Sequence, residues 1–305
     1  MKVEEIIKNK ILENGFDLVG ITDTKIPQQV KQAFLDWIKN NFYAQMNYMK
    51  ETFEKRLDLK KVWEDVKSVI VVGKNYYKHV QYKDYKISIY ALSKDYHKVM
   101  KKKLLKIFKE LSRDLKFNFR IYVDSGPILE KVFAQKAGIG WQGKNSLLIS
   151  PKFGSFIFIG IILVDIELEI DNPFVNDFCG NCNKCILACP TKAIVKERTI
   201  DSNKCISYWT IEYKGKEINL NYKDWIFGCD ICQIVCPWNK KAKETDWEEF
   251  KVLHVLKYSL NELLKLNENE YNEIFKGMPI KRANYKRFKR NILHIMGKDP
   301  SSYKH

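Results

Sequence analysis

Cysteine is absent before Cys179 and after Cys236, no apolar run is long enough to cross a bilayer, and acidic residues are outnumbered by basic ones. Each shortage excludes something. The longest apolar run, Phe156 to Val164, falls far short of the ~20 residues a spanning helix needs, so the chain is expected to be soluble and not to span a membrane. The amino terminus, MKVEEIIKNKILENG, is charged and carries no apolar export core, which argues against an oxidising compartment and for a cytoplasmic protein. There is no low-complexity linker and no internal repeat apart from two cysteine runs. With 37 acidic against 53 basic residues the net charge is +16, which favours a polyanionic partner: nucleic acid first, an anionic membrane surface second.

What is present is a block of eight cysteines. Cys179, Cys182, Cys185, Cys189 and Pro190 form the C-x2-C-x2-C-x3-C-P run of two-cluster ferredoxins. Cys229, Cys232, Cys236 and Pro237 form a second run that lacks its leading member, and Cys205 can supply it. The fourth cysteine of such a run crosses to the other cluster. One set is then Cys179, Cys182, Cys185 and Cys236, and the other is Cys189, Cys205, Cys229 and Cys232, with no thiol left over. Zinc ribbons use C-x2-C pairs but rarely this continuation into a third and fourth cysteine and a proline. Two [4Fe–4S] clusters are therefore expected, and with them one-electron transfer.

Sixty residues of clusters leave most of 305 residues to be explained. Residues 3 to 14 put Ile6, Ile7 and Ile11 on one helical face that Gly15 ends, and Leu18 to Ile21 reads as a strand. Gln28 to Met49 is amphipathic, and Ser68 to Val72 is a buried strand ending at Gly73. Lys94 to Leu111 is a basic helix with Leu104, Leu105, Phe108 and Leu111 inward and its lysines in water. Arg120 to Val123 is a strand, Ile128 to Ala137 a helix, and Ser155 to Val164 a long strand. The pattern predicts an α/β domain with a mostly buried sheet. Asp171 to Phe174 marks the entry to the cluster domain. Residues 246 to 298 read as helices with Leu253, Leu256, Leu260, Leu263 and Leu264 inward, too short to fold alone.

One segment of the first domain has the residue types of a site. Val123, Asp124, Ser125, Gly126 and Pro127 place an acid at the end of a strand, where open α/β sheets hold ligands, although a turn-forming or helix-capping aspartate explains the same letters. Gly138, Gly140 and Gly143 around Trp141 let backbone approach a flat ligand, or make a tight turn. From the residues alone, the reading stops at a cofactor or substrate site beside an electron supply.

The set VDSGPILEK, AGIGWQGKNSLLIS, FGSFIFIG, CGNCNKCILACPTKAI, CISYWTIEYKG and CDICQIVCPWNKKA, with Asp95, Tyr96 and His97 as a DYH element, resembles the epoxyqueuosine reductases of tRNA queuosine synthesis across roughly residues 46 to 240. The resemblance implies an α+β chain: a cobalamin-binding α/β catalytic domain over residues 1–170, a ferredoxin-like two-cluster domain over 171–245, and a basic helical segment over 246–305. It implies base-off cobalamin between the first domain and the clusters, a tRNA anticodon loop as substrate, a low-potential electron donor and a monomeric chain. Asp124 matches the family's proton donor. To donate near neutral pH it must be protonated, so burial against the corrin is expected to raise its pKa. Arg56, in FEKRLDL, matches an arginine near the corrin side chains, and Lys144, Asn145, Ser207, Asp230 and Ile231 fall where the corrin should abut the clusters.

His97 begins like a D-x-H-x-x-G box, but Met100 stands where that box has glycine, so His97 reads as structural or as a polar site neighbour. The cobalt is expected to keep an open or water-filled lower face. From Ile274 to Lys298 there are eight basic residues and no acidic one, among them Lys281, Arg282, Arg287 and Arg290, interleaved with Tyr285 and Phe288. That density suits phosphates and an unstacked base. Longer family members continue into helical repeats where this sequence ends at His305, so the basic segment and the lysine helix are expected to carry more of the tRNA. Two alternatives stand beside this reading. One is a reductive dehalogenase-like corrinoid enzyme, opposed by the lack of an export signal, the aspartate in place of a tyrosine donor and the positive charge. The other is a ferredoxin-type electron carrier.

Overall fold

The computed structural model describes residues 2–240, 242–251 and 254–298. Its first region is built on four strands, β1 (Leu18–Asp23), β2 (Ser68–Asn75), β3 (Phe119–Tyr122) and β4 (Ile157–Val164), in the order β1-β2-β4-β3. Every pairing is antiparallel, with Ile70 opposite Ile162 and Val71 opposite Ile161. The helix–strand alternation is as expected, but the rule that places ligands at the carboxyl ends of parallel strands does not apply to this sheet.

The near-continuous apolar runs of β2 and β4 follow from burial on both faces. Successive side chains point to opposite sides of a strand. Ile70, Val72, Ile162 and Val164 enter one core with Ile7 and Ile11 of α1 (Val3–Glu13) and Leu104, Ile107 and Phe108 of α2 (Tyr96–Leu115). Val69, Val71, Ile161 and Leu163 enter another with Leu59, Trp63 and Phe133 of α3 (Glu130–Lys136).

Four local expectations are corrected. The stretch 28–49 is not one element, because the helix Gln28–Lys39 gives way to a turn with Asn41 and Ala44 at positive φ. Gly73 does not end β2, which runs on to Asn75. There Lys74, wholly buried, pairs with Asp17 at 3.1 Å and with Asp246. Leu105 is exposed, and Met100 and Ile107 take the inward positions on α2. That helix starts at Tyr96 because the Asp95 carboxylate caps it, accepting from the His97 N–H at 3.1 Å.

The three sequence segments interlock. Trp225–Phe227 pairs in parallel with Lys86–Ile87, tying the cysteine region to the first region. The carboxyl-terminal helices bury Leu263, Phe275, Phe288 and Ile292 against Ile87, Leu92, Ile226 and Phe227. Leu256 and Leu260 pack partly buried at its edge, and Leu253 lies outside the described residues. Within α4 (Asn284–Ile295), Arg290 donates to the carbonyls of Trp209, Tyr213 and Gly215 at 2.6–2.9 Å, and Asn291 donates to those of Thr210 and Ile226. Among the described residues, no helix is long and apolar enough to cross a membrane.

Candidate active site and metal centres

The thiols separate into two groups of different depth. Cys179, Cys182, Cys185 and Cys236 line one cavity of about 550 Å³. The short helices Lys184–Ala188 and Ile231–Ile234 pack against each other and carry Cys185 and Cys232. Burial raises the Cys185 thiol, and the charges of Cys179 and Cys236 add to it; Cys236 responds likewise to burial and then to Cys179 and Cys182. The sulfurs of Cys205, Cys229 and Cys232 in the other group are more enclosed, although by whole-residue exposure Cys236 of the first group is the buried cysteine and the other seven are half-buried. Burial pushes Cys229 up to about 12, with Cys205 and Cys189 adding to it, and holds Cys232 higher still, with Cys205 and Cys229 adding.

Thiols so costly to ionise need cationic metal beside them. Backbone N–H groups of Ser207 and Tyr208 face Cys205, and that of Ile231 faces Cys229, as anionic sulfur requires. Among the described residues no three His, Cys, Asp or Glu side chains converge on the position of a single ion. A four-iron cube, which needs one thiolate at each of four separate corners, fits these two sets where one zinc does not.

Asp124 follows β3 with φ +57, and its side chain is 61% exposed. Its Oδ2 accepts from the Tyr96 hydroxyl at 2.5 Å and lies 3.3 Å from His97 Nε2. His97 Nδ1 lies 2.7 Å from Asp95 Oδ1, so both ring nitrogens meet carboxylates. The Asp124 N–H donates to Glu130 Oε1 at 2.7 Å, which pins the left-handed turn to the start of α3. The expected rise concerned burial against a corrin; the protein's own groups act the other way, since desolvation by the cleft walls acts upward but the hydrogen bonds of His97 and Tyr96 outweigh it and hold the carboxyl below its usual range. The protons sit on its neighbours. Glu130 is pushed up to about 8 by burial and by the charge of Asp124, and His97 rises to about 9 because its bonds to Asp124 and Asp95 outweigh its own burial.

Arg56 comes to the same site. Its side chain is buried, its Nε donates to Thr52 Oγ1 at 3.0 Å, and Tyr48, Glu130 and Asp124 all act on its charge. A guanidinium has five N–H donors, and the others make no hydrogen bond among the described residues. Donors that are left unbonded and still reach the open side of the site suit the carboxamide acceptors at the rim of a corrin. Tyr90, whose ring lies 6.1 Å from that of Tyr96, feels the charges of both Asp124 and Asp230.

The remaining expected contacts divide. Asn145 is buried and donates to the Cys232 carbonyl at 3.3 Å, and Ser207 and Ile231 are half-buried beside the deeper thiols. Lys144 turns to the shallower set, with its Nζ 2.8 Å from Glu197. The Asp230 side chain is not available to a corrin: it is 1% exposed and accepts from the Ser88 hydroxyl, the Ile89 N–H and Gln233 Nε2.

In the basic segment, Lys281 and Arg282 are exposed, and Arg282 pairs with Glu212 at 2.5 Å within reach of the Asp124 charge. Arg287 is half-buried and donates to the Ile211 carbonyl. Arg290 does not face a nucleic acid, because its guanidinium is buried on carbonyl oxygens, and Phe288 lies in the core and cannot stack on a base. Tyr48 and Glu130 were not anticipated from the sequence. For Glu130 the available signal was its place six residues after Asp124, in the first turn of the following helix.

The geometry has counterparts among known proteins. A family model described as "Epoxyqueuosine reductase QueG, DUF1730" matches residues 56–125, and one described as "4Fe-4S double cluster binding domain" matches residues 178–239. An epoxyqueuosine reductase of Cyclobacterium marinum is 39% identical over 95% of this chain and 96% of its own length. That of Escherichia coli is 38% identical over 96% of this chain and 80% of its own. A crystal structure of epoxyqueuosine reductase with an epoxyqueuosine-modified tRNA-Tyr stem loop has a TM-score of 0.86 and 25% identity, covering 99% of this chain and 84% of that one. With near-complete coverage at this identity, the two thiol sets and the Asp124 cleft lie on a shared scaffold, and the chain belongs to the epoxyqueuosine reductase family.

Proposed function

We propose that this chain reduces epoxyqueuosine in the anticodon loop of a tRNA to queuosine, with Asp124 delivering the proton. It is an oxidoreductase that uses two [4Fe–4S] clusters and cobalamin. Turning the epoxide into an alkene consumes two electrons and two protons and releases the oxygen as water. Cobalamin, when bound, supplies a reduced and strongly nucleophilic metal, and the clusters supply single electrons.

The chain's own residues supply the rest. Cys179, Cys182, Cys185 and Cys236 hold one cluster, and Cys189, Cys205, Cys229 and Cys232 hold the other. Arg56 would donate to the carboxamides of the corrin, and Asn145, Ser207 and Ile231 would lie against it. Lys281 and Arg282, at the mouth of the Asp124 cleft, take phosphates, with Arg287 bracing the helix behind them. One chain contributes every one of these groups, so a monomer suffices.

The observation that carries the reading is the Asp124 carboxylate held between Tyr96 and His97, with the Arg56 and Arg282 charges within reach of it. Asp124 is ionised at rest, so the proton it delivers comes from protonated His97, whose Nε2 lies 3.3 Å from its Oδ2, and passes on as negative charge develops on the departing oxygen. His97 is the store and Asp124 the point of delivery. The test is anaerobic reconstitution with iron, sulfide and cobalamin, followed by nucleoside analysis of tRNA from a strain that accumulates the epoxide. Conversion to queuosine is expected, and Asp124→Asn is expected to stop it with full iron retained. An Asp124→Asn protein that turned over at the wild-type rate would remove Asp124 from this role.

A further inference from the structure

The surroundings of the shallower thiol set combine exposed lysines with exposed apolar side chains. Lys152, Lys184 and Lys240 stand exposed on the rim of its cavity, and none is ion-paired among the described residues. Lys184 and Leu187 are three residues apart on the helix Lys184–Ala188 and therefore share a face. Leu187 is 84% exposed, and Ile234, on the helix packed against it, is 56% exposed. Phe178, on the cavity wall, is 46% exposed. None of the three is a buried member of a core.

We propose that this lysine-rimmed apolar patch is the docking surface of an acidic, low-potential one-electron carrier protein, which delivers electrons to the cluster held by Cys179, Cys182, Cys185 and Cys236. The proposal rests on the two-cluster reading above. Apolar side chains inside a ring of one charge are what a short-lived redox complex needs: charge steers the encounter, and a small dry centre lets the two redox groups approach.

A polyanion such as tRNA would use the lysines but has no use for exposed Leu187 and Ile234. None of the side chains that touch Asp124 lines this cavity, so a carrier seated here leaves the acid's cleft to the substrate. Each encounter oxidises the carrier by one electron and reduces the cluster by one, with no proton moved. Two encounters supply the electron pair that one epoxide consumes.

The test uses the full chain reconstituted with its clusters and a small acidic [2Fe–2S] ferredoxin, reduced beforehand and mixed under anaerobic stopped flow. The variants are Lys184→Glu with Lys240→Glu, and Leu187→Ser with Ile234→Ser, each also reduced by dithionite. For the wild type, the second-order rate should fall steeply with salt. The charge reversal should slow it by about tenfold or more and flatten the salt dependence. The serine pair should slow it a few-fold at every salt concentration. Carbodiimide cross-linking should join the ferredoxin to Lys184 or Lys240. Dithionite reduction and tRNA affinity should not change.

Wild-type electron transfer in the charge-reversed protein would overturn the proposal. So would a loss of tRNA affinity in that variant, which would give the patch to the tRNA, or a wild-type dimer that the serine pair dissolves, which would give it to a second copy. Failure of dithionite to reduce any cluster in the wild type would instead strike the two-cluster reading, and the docking proposal with it.

Discussion

The two thiol sets are spelled by nearly the same letters yet sit in different surroundings. The set of Cys179, Cys182, Cys185 and Cys236 opens on a cavity with lysines at its rim. The set of Cys189, Cys205, Cys229 and Cys232 is walled by the Ile206–Ile211 helix, the buried Asp230 and the strand Trp225–Phe227. Burial holds Cys229 and Cys232 further above the ordinary thiol range than any member of the first set. On the proposals above, the fold, and not the ligand pattern, separates a receiving end from a working end. The shallower set opens on the lysine-rimmed cavity, and Tyr90 feels the charges of both Asp124 and Asp230, the neighbour of Cys229.

The sharpest way to break that contrast is to remove one thiol from each set and drive the reaction with dithionite. Cys232→Ala should reduce tRNA conversion to background. Cys182→Ala should retain part of it, because a small reductant can bypass the outer cluster. Equal loss in both would put the two sets on the same footing. Next in size is the acid at the working end: Asp124→Asn should lower kcat by about 10²- to 10⁴-fold with no change in iron content, read by single-turnover nucleoside analysis.

A smaller effect is expected on stability. Arg290→Ala strips hydrogen bonds from three carbonyls and Asn291 around the wall of the deeper set, and should cost roughly 3 kcal/mol in denaturant unfolding of the reconstituted protein. Lys184→Ala, on the outer rim, should cost less than about 0.5 kcal/mol.

The smallest is a pH effect confined to the working end. His97 has its folded value raised from 6.5 to about 9, so its contribution is complete below 6.5 and is lost as pH rises through about 9. Glu130, raised from 4.5 to about 8, also takes up a proton on folding, so stability falls across that interval for the same reason. Lys78, lowered by burial from 10.5 to about 7, acts in the opposite sense above pH 7, so the contribution of His97 is read as a difference: the Tm of His97→Gln should gain on that of the wild type between pH 6.5 and 9. A variant that lost ground or merely kept pace over this range would contradict the arrangement.

The parts of this architecture legible in the sequence are those fixed by spacing. Cysteine intervals announced both cluster sets, and apolar runs announced β2 and β4. Motif resemblance supplied Asp124, Arg56 and the DYH element. What was not legible depends on long-range closure. Nothing local tells that Lys74 is buried within a strand until Asp17 and Asp246 arrive from distant segments. Arg290 and Phe288 read as nucleic-acid contacts because composition counts charge and aromatic rings, whereas the packing of α4 against the Trp225–Phe227 strand decides which of them face water. The partners of Asp124 were hidden for a related reason: the sequence shows the acid, but only the fold brings Tyr96 and His97 onto its oxygen, where they favour the ionised form.

The central claim is that eight thiols form two four-iron sites at unequal depth. Iron and acid-labile sulfide, measured together on anaerobically reconstituted wild type and Cys182→Ala, test it most directly. The account predicts about eight irons per chain in the wild type and about four remaining in the variant. Zinc in place of iron, or about four irons in the wild type, would contradict it.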